Sequence, residues 1–390
     1  MRIFISAGEP SGDEHAALLV RELKLRNPDL YCDGFGGPEM RKQGCRLLHE
    51  MTENAVMGFL RVVPLLAHFR RLVKHAENHL RDTRPDAVVL VDFPGFNWWI
   101  ARAARRLGIS VYYYLPPQLW AWAPWRIRRV RKWIDHVICT LPFEFDWYAS
   151  RGVNATYVGH PFFDEVAHRK LNPETLKTLK TADTDQRVFA LLPGSRSHEV
   201  EHNWPIMLEI AARVRQVHPG IKWIAGCYRK EHQLRCEELQ RKSELPLTIH
   251  YETGQTSEVI EAAHACLMVS GSVSLELLAR RTPGVVLYRT GRIMRFIGKR
   301  ALRCRFVTLT NLMANEELMP EIISSGNPAG DIRRISKILV EWAGNADALN
   351  ARRKQLEILA GNTALTGATT RTAELLLEKN QSSQTEEMAA

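Results

Sequence analysis

Arg2-Ile3-Phe4-Ile5-Ser6 is a short β-type run, and Gly8-Glu9-Pro10-Ser11-Gly12-Asp13 follows it before helical periodicity begins near Glu14. An apolar strand, a glycine-bearing turn and a helix, in that order, open an α/β unit. The rhythm repeats outward from there. Further strands read at Tyr31–Phe35, Ala87–Val91, Val111–Leu115, His136–Cys139 and Thr156–Val158. Val166–Thr184 is polar, lacks strand signals and reads as a linker. A second series follows at Arg187–Leu192, Ile221–Ala225, Leu247–Tyr251, Cys266–Val269 and Gly284–Leu287, with helical patterns at Glu199–Val217 and Val273–Arg281 between them. Residues beyond Asp331 read as helices, and Lys379–Ala390 as a fraying tail. The expected division is a first domain over 1–165, a second over 185–345, and C-terminal helices and tail over 346–390. Parallel sheets with crossover helices place ligands beyond the carboxyl ends of their strands, here in a cleft between the two domains.

The composition agrees with that scale. A chain of 390 residues exceeds one ordinary core and suits two, and 45% apolar with 25% charged residues is usual for a soluble protein. No run approaches the ~18 consecutive apolar residues of a membrane span. The N-terminus reads as a strand without a cleavage signal, so no export is expected. The seven cysteines are scattered, with neither a CxxC pair nor zinc spacing, as for reduced thiols in a cytosolic protein. A net charge of +10 favours anionic partners or a well-solvated surface.

Four loops can carry chemistry. In Gly8–Asp13 the glycines allow close backbone approach, and Ser11 or Asp13 can cap the following helix; the spacing is not G-x-G-x-x-G. In Asp92-Phe93-Pro94-Gly95-Phe96-Asn97, Asp92 ends a buried strand, where it can take a proton from an attacking hydroxyl or serve as a turn residue. In Leu191–Glu199, Ser195 or Ser197 can cap a helix at whose N-terminus Arg196 would hold a phosphate. In Ser270-Gly271-Ser272-Val273-Ser274-Leu275-Glu276, small residues can wrap a diphosphate, and Glu276 can accept from ribose hydroxyls or simply favour the helix dipole. That loop has no Walker A lysine. Ala55–Leu66, continued by Phe69, Arg70, Arg71, Leu72 and Lys74, reads as an apolar segment running into a basic amphipathic one. Trp120–Trp133 mixes tryptophans with cations. Both suit a membrane interface or an ordinary core-facing helix, and the second also suits single-stranded nucleic acid.

These motifs, with Gly36-Gly37-Pro38-Glu39-Met40, Ala55-Val56-Met57-Gly58, Trp120-Ala121-Trp122, Leu141-Pro142-Phe143-Glu144, Gly159-His160, Glu199-Val200-Glu201, Tyr288-Arg289 and Leu309-Thr310-Asn311-Leu312, resemble the lipid-A-disaccharide synthase family over nearly the whole chain. The resemblance implies two Rossmann-like domains facing a central cleft, the GT-B glycosyltransferase fold. It implies an inverting enzyme joining UDP-2,3-diacylglucosamine to 2,3-diacylglucosamine 1-phosphate, with no metal and no cofactor. Asp92 would be the catalytic base. Ser195, Arg196, Ser270, Gly271, Ser272, Glu276 and Asn311 would bind the UDP-sugar, and Glu9, Ser11, Gly12, Met57 and Asn97 the acceptor. The implied setting is cytoplasmic, peripheral to the inner membrane, on an anionic surface, without nucleic acid and with a homodimer left open. The chain departs from the family at Gly95, where a second Asp is usual, at Pro116 in place of Ser, and at Ala123 in place of Arg; Arg126 is the candidate replacement cation.

Two other readings compete. Another UDP-N-acetylglucosamine-using enzyme of this architecture, a transferase or an epimerase, would make Ala55–Leu66 an ordinary buried helix. A non-catalytic basic protein binding membranes or RNA through Trp120–Trp133 would leave the Arg196 and Glu276 loops without a purpose.

Overall fold

A computed structural model describes residues 1–51, 62–180, 186–291 and 304–389; of 62–67 and 380–389 only the backbone is described. The chain divides into two compact units, one of residues 1–164 with 366–390, the other of residues 165–365.

The first unit holds a seven-stranded sheet of β1 (Arg2–Ala7), β2 (Tyr31–Gly36), β3 (Arg46–Glu50), β4 (Ala87–Val91), β5 (Ser110–Tyr114), β6 (His136–Cys139) and β7 (Ala155–Tyr157). Every pairing is parallel, in the order β3-β2-β1-β4-β5-β6-β7. The helices are α1 (Pro10–Arg26), α2 (Pro38–Lys42), α3 (Val62–Thr83), α4 (Pro94–Arg106), α5 (Leu119–Trp122), α6 (Ile127–Trp133), α7 (Pro142–Ala149) and α8 (Pro161–His168), the last crossing into the second unit. Strand β4, Ala-Val-Val-Leu-Val, is wholly buried, as a strand covered by helices on both faces must be.

The second unit repeats the plan with six parallel strands, β8 (Val188–Leu192), β9 (Lys222–Cys227), β10 (Ile249–Thr253), β11 (Ala265–Met268), β12 (Gly284–Arg289) and β13 (Glu321–Ser324), in the order β10-β9-β8-β11-β12-β13. Its helices are α9 (Pro173–Leu179), α10 (Ser197–Val217), α11 (Lys230–Ser243), α12 (Thr256–Ala262), α13 (Val273–Ala279), α14 (Leu309–Ala314), α15 (Ala329–Gly344) and α16 (Ala346–Thr363). The last helix, α17 (Ala368–Ala389), belongs with the first unit. Its start is fastened there by Asp164, whose carboxylate accepts from the amides of Gly367 and Thr369. Among the described residues no helix is long and apolar enough to cross a membrane.

Each sheet starts at its middle and reverses direction, between β1 and β4 in one unit and between β8 and β11 in the other. That reversal is the topological switch point at which open α/β sheets bind ligands. The loop after β1 carries Gly8–Asp13, and the loop after β4 carries Asp92. The loop after β8 carries Ser195 and Arg196, and the loop after β11 carries Ser270–Ser272.

Two sequence expectations change. The segment read as a linker contains α9 and is tied to the second unit, because Arg169 donates to the Ser257 hydroxyl at 2.7 Å and the Asn172 amide to Glu258 at 2.9 Å. The first helix starts at Pro10, so Ser11 and Asp13 lie inside its first turn and neither caps it. Asp13 is instead buried and accepts from the amides of Gly37 (2.8 Å), Glu39 (3.0 Å) and Met40 (3.1 Å), capping α2. This accounts structurally for the Gly36–Met40 motif.

Candidate active site

In the first unit the site is built around the end of β4. Asp92 has φ 45° and Phe93 φ 47°, a left-handed conformation that costs non-glycine residues about 1–3 kcal/mol each. The strain is offset locally. Asn97, on the first turn of α4, donates through Nδ2 to the carbonyl of Asp92 at 2.7 Å, and the Tyr113 hydroxyl donates to the same oxygen at 2.9 Å. The chain is thereby bent sharply out of the sheet while Asp92 stays half-buried at its edge. The Phe93 ring then lies over Gly8, where an added Cβ would stand 2.1 Å from the ring. Gly8 is thus required by close approach of the β1 and β4 loops.

The Asp92 carboxyl is raised above its ordinary value, first by burial and then by the nearby Glu9 carboxylate, against the opposing pull of the Phe93 amide and His15. A carboxylate so placed holds a proton more readily than a solvated one, as a general base should. Glu9 beside it and Ser11 are exposed, and Gly12 is buried.

Asn97, expected at the acceptor, is fully buried. Its Oδ1 accepts from the Ser6 hydroxyl at 2.7 Å, and Nδ2 reaches the carbonyls of Ser6, Val91 and Asp92. It clamps β1 to β4 and has no polar atom to spare. Met57 lies outside the described residues, as do Ala55–Arg61; the side chains of 62–67 are likewise not described. Further along α3, Leu72 is buried against the core and Arg70, Arg71 and Lys74 point outward.

Sequence reading gave Glu144 no role. It is buried, accepts from the Trp120 indole at 3.2 Å and the Thr140 amide at 3.4 Å, and burial pushes its carboxyl up to about 8. Gly95 is exposed with open space around its Cα, Ala123 is buried, and Arg126 stacks over the Trp122 ring at 4.6 Å.

In the second unit the N-cap of α10 is Arg196 itself, not Ser195 or Ser197. Glu199 closes the turn. Its Oε2 accepts from the amides of Ser195 (3.0 Å) and Arg196 (3.2 Å), and its Oε1 from the Arg196 guanidinium at 3.1 Å. Gly194, at φ 114°, leaves the room that this carboxylate fills. The Ser195 and Arg196 amides are therefore already satisfied, while the Arg196 side chain is 72% exposed. Across the switch point, Ser270 is half-buried and Gly271 and Ser272 are exposed ahead of α13.

Glu276, one turn into α13, is buried and ion-paired to Arg280 Nε at 3.0 Å, and Arg280 also reaches Glu261 at 3.1 Å. The i,i+4 spacing of Glu276 and Arg280 was the available sequence signal for this pair. Asn311, expected on the UDP-sugar, is fully buried, bonded through Oδ1 to the Met319 amide and through Nδ2 to the Met319 carbonyl and Glu321. It fixes α14, from which Thr310 braces the carbonyl of Ser274 at 2.8 Å.

The chain is 34% identical over 385 residues to the lipid-A-disaccharide synthase of Myxococcus xanthus, covering 97% of each chain. It is 34% identical over 331 residues to that of Geobacter sulfurreducens, covering 85% of each. Among solved structures, a UDP-GlcNAc 2-epimerase from Neisseria meningitidis bound to UDP-GlcNAc superposes with TM-score 0.61 at 13% identity, over 97% of this chain and all of that one. A trehalose-6-phosphate synthase superposes with TM-score 0.55 at 11% identity, over 97% and 98%. At such identities these two establish the fold, which is GT-B, and nothing finer. The family described as lipid-A-disaccharide synthetase matches residues 3–362. The chain is a member of the lipid-A-disaccharide synthetase family of glycosyltransferases.

Proposed function

We propose that this chain joins UDP-2,3-diacylglucosamine to 2,3-diacylglucosamine 1-phosphate, giving the tetraacyl disaccharide 1-phosphate and UDP with inversion at the sugar carbon. The observation that carries the mechanism is Asp92, a carboxyl with raised proton affinity held at a switch point by a bent backbone. Asp92 takes the proton of the acceptor hydroxyl as that oxygen attacks the anomeric carbon. The bond from that carbon to the UDP oxygen breaks, and its electron pair leaves with UDP. Glu9, beside Asp92, and Ser11 are exposed polar groups and suit the acceptor sugar. On the second unit, the exposed Arg196 guanidinium offsets charge on the leaving diphosphate. The Ser270–Ser272 loop wraps it, and Glu276, oriented by Arg280, accepts from the ribose. Acylated substrates place the work at an anionic inner-membrane surface.

Isothermal calorimetry with UDP tests the donor half. Hydrogen bonds to charged groups contribute about 1.5–3 kcal/mol each, so Arg196→Ala and Glu276→Ala should each weaken binding by tenfold or more, in folded protein. Unchanged affinity in both variants would move the nucleotide elsewhere.

A further inference from the structure

Between Asp92 and Asp135 the chain carries eight arginines and lysines and no carboxylate. Surfaces that only need solubility intersperse the two signs. A one-sign stretch this long makes a positive field. Two helices of the stretch expose the same arrangement. On α4, Trp99 is 54% exposed, and Arg102 and Arg106 follow at i+3 and i+7 on the same exposed face. On the turn Pro124–Arg126 and α6, Trp125 is 61% exposed, with Arg128, Arg129 and Lys132 at i+3, i+4 and i+7. Between α4 and α6 lies a cavity of about 510 Å³ lined by Arg102, Arg105, Arg106, Lys132 and Trp133.

Two of the four lining cations, Arg105 and Arg106, have carboxylate neighbours. Asp135 pairs with Arg105 at 2.5 Å, and Glu77 lies 3.7 Å from Arg106. Among the described residues Arg102, Arg128, Arg129 and Lys132 have no carboxylate partner. The exposed tryptophans among the described residues are Trp99, Trp122 and Trp125, all within this stretch.

We propose that the α4–α6 face docks on an anionic phospholipid bilayer, with a lipid phosphate seated in the cavity between Arg102 and Lys132 and the Trp99 and Trp125 indoles at headgroup level. Guanidinium groups match phosphate oxygens in pairs, and indoles favour the boundary between headgroup and acyl chain. Stacked nucleic-acid bases fit less well, because Arg126 covers the Trp122 ring at 4.6 Å and Trp133 lies against Trp98 with ring centroids 6.4 Å apart. The proposal rests on the reading that the substrates are membrane lipids, and it names the surface that meets their membrane.

The test is co-sedimentation of the full chain with vesicles of phosphatidylcholine alone and of phosphatidylcholine mixed with an equal amount of phosphatidylglycerol. The parent should bind only the anionic vesicles, and inorganic phosphate should not replace them. Each surface cation adds about 1 kcal/mol at an anionic leaflet, so Arg102→Gln with Lys132→Gln should lower partitioning roughly thirtyfold and the double charge reversal to Glu should lower it further. Trp99→Ser with Trp125→Ser should also lower it, with UDP affinity unchanged in each variant as a check on folding. Parent-like vesicle binding by both the Gln and the Ser variants would overturn this surface while leaving the membrane reading intact. Failure of the parent to bind anionic vesicles would overturn the membrane reading itself. Tighter binding of single-stranded RNA than of vesicles, lost in the same variants, would overturn the lipid assignment.

Discussion

The side-chain amide of Asn97 donates to the backbone carbonyl of Asp92 at 2.7 Å, from a position with no exposure to solvent. The contact joins the helix that follows β4 to the residue proposed as its base. It also ties both to β1 through Ser6. The backbone of Asp92 is therefore held by a fully buried side chain.

Removing that clamp should cost both stability and rate. Buried groups left without partners cost about 1–3 kcal/mol each, so Asn97→Ala should lower stability to urea by roughly 2–4 kcal/mol. In the folded fraction kcat should fall while UDP affinity stays near that of the parent. Parent-like turnover in stably folded Asn97→Ala would show that Asp92 does not need this support.

Asp92→Asn should lower kcat by about 10²–10⁴-fold, the usual contribution of a general base. The acid limb of kcat/KM gives the sign. Activity needs the carboxylate and so falls as the pH drops through the Asp92 pKa, which burial and Glu9 place above the ordinary 3.8. Glu9→Gln removes the second of those causes and should move the limb to lower pH. A limb that stays put in Glu9→Gln would separate the two carboxyls.

Asn311→Ala separates a structural role from a ligand contact. Loss of its three buried bonds should destabilise the protein by about 2–4 kcal/mol. UDP affinity of the folded fraction should change little. A stable variant with strongly weakened UDP binding would restore Asn311 to the nucleotide site.

Glu144 makes a prediction about pH and stability. Its pKa rises from an ordinary 4.5 to about 8 in the folded chain. A group raised in the folded state contributes stability that is complete below its unfolded pKa and is lost as pH rises through the folded value. The parent should therefore lose stability between about pH 4.5 and pH 8, on the order of a few kcal/mol. Glu144→Gln keeps an oxygen for the Trp120 indole and cannot ionise, so its stability should be flatter across that window. Identical pH profiles of Tm in the two proteins would contradict a buried neutral acid.

Much of this was legible in the chain itself. Parallel strands covered on both faces are continuous apolar runs, so Ala87–Val91 and His136–Cys139 were read with their observed ends, and most others within two residues. The edge strands β3 and β13 went unread. Arg46–Glu50 and Glu321–Ser324 are short and partly polar, and only neighbouring strands make them strands. The four loops at the switch points were found because a loop after a buried strand is visible as a break in the apolar run. The buried bonding of Asn97 and Asn311 was not, because a polar side chain near a strand end looks the same in sequence whether it faces a ligand or closes a buried network. Asp13 was assigned to its own helix, whereas the helix it caps begins twenty-five residues later at Pro38. The state of Glu144 depends on burial that local sequence does not carry.

The most direct test of the account is the product formed when the purified chain is given UDP-2,3-diacylglucosamine and 2,3-diacylglucosamine 1-phosphate. Mass spectrometry should find the tetraacyl disaccharide 1-phosphate and UDP in equal amounts, and NMR should show a β linkage made from the α-linked donor. Hydrolysis or epimerisation of the donor without disaccharide, or retention at the sugar carbon, would contradict it.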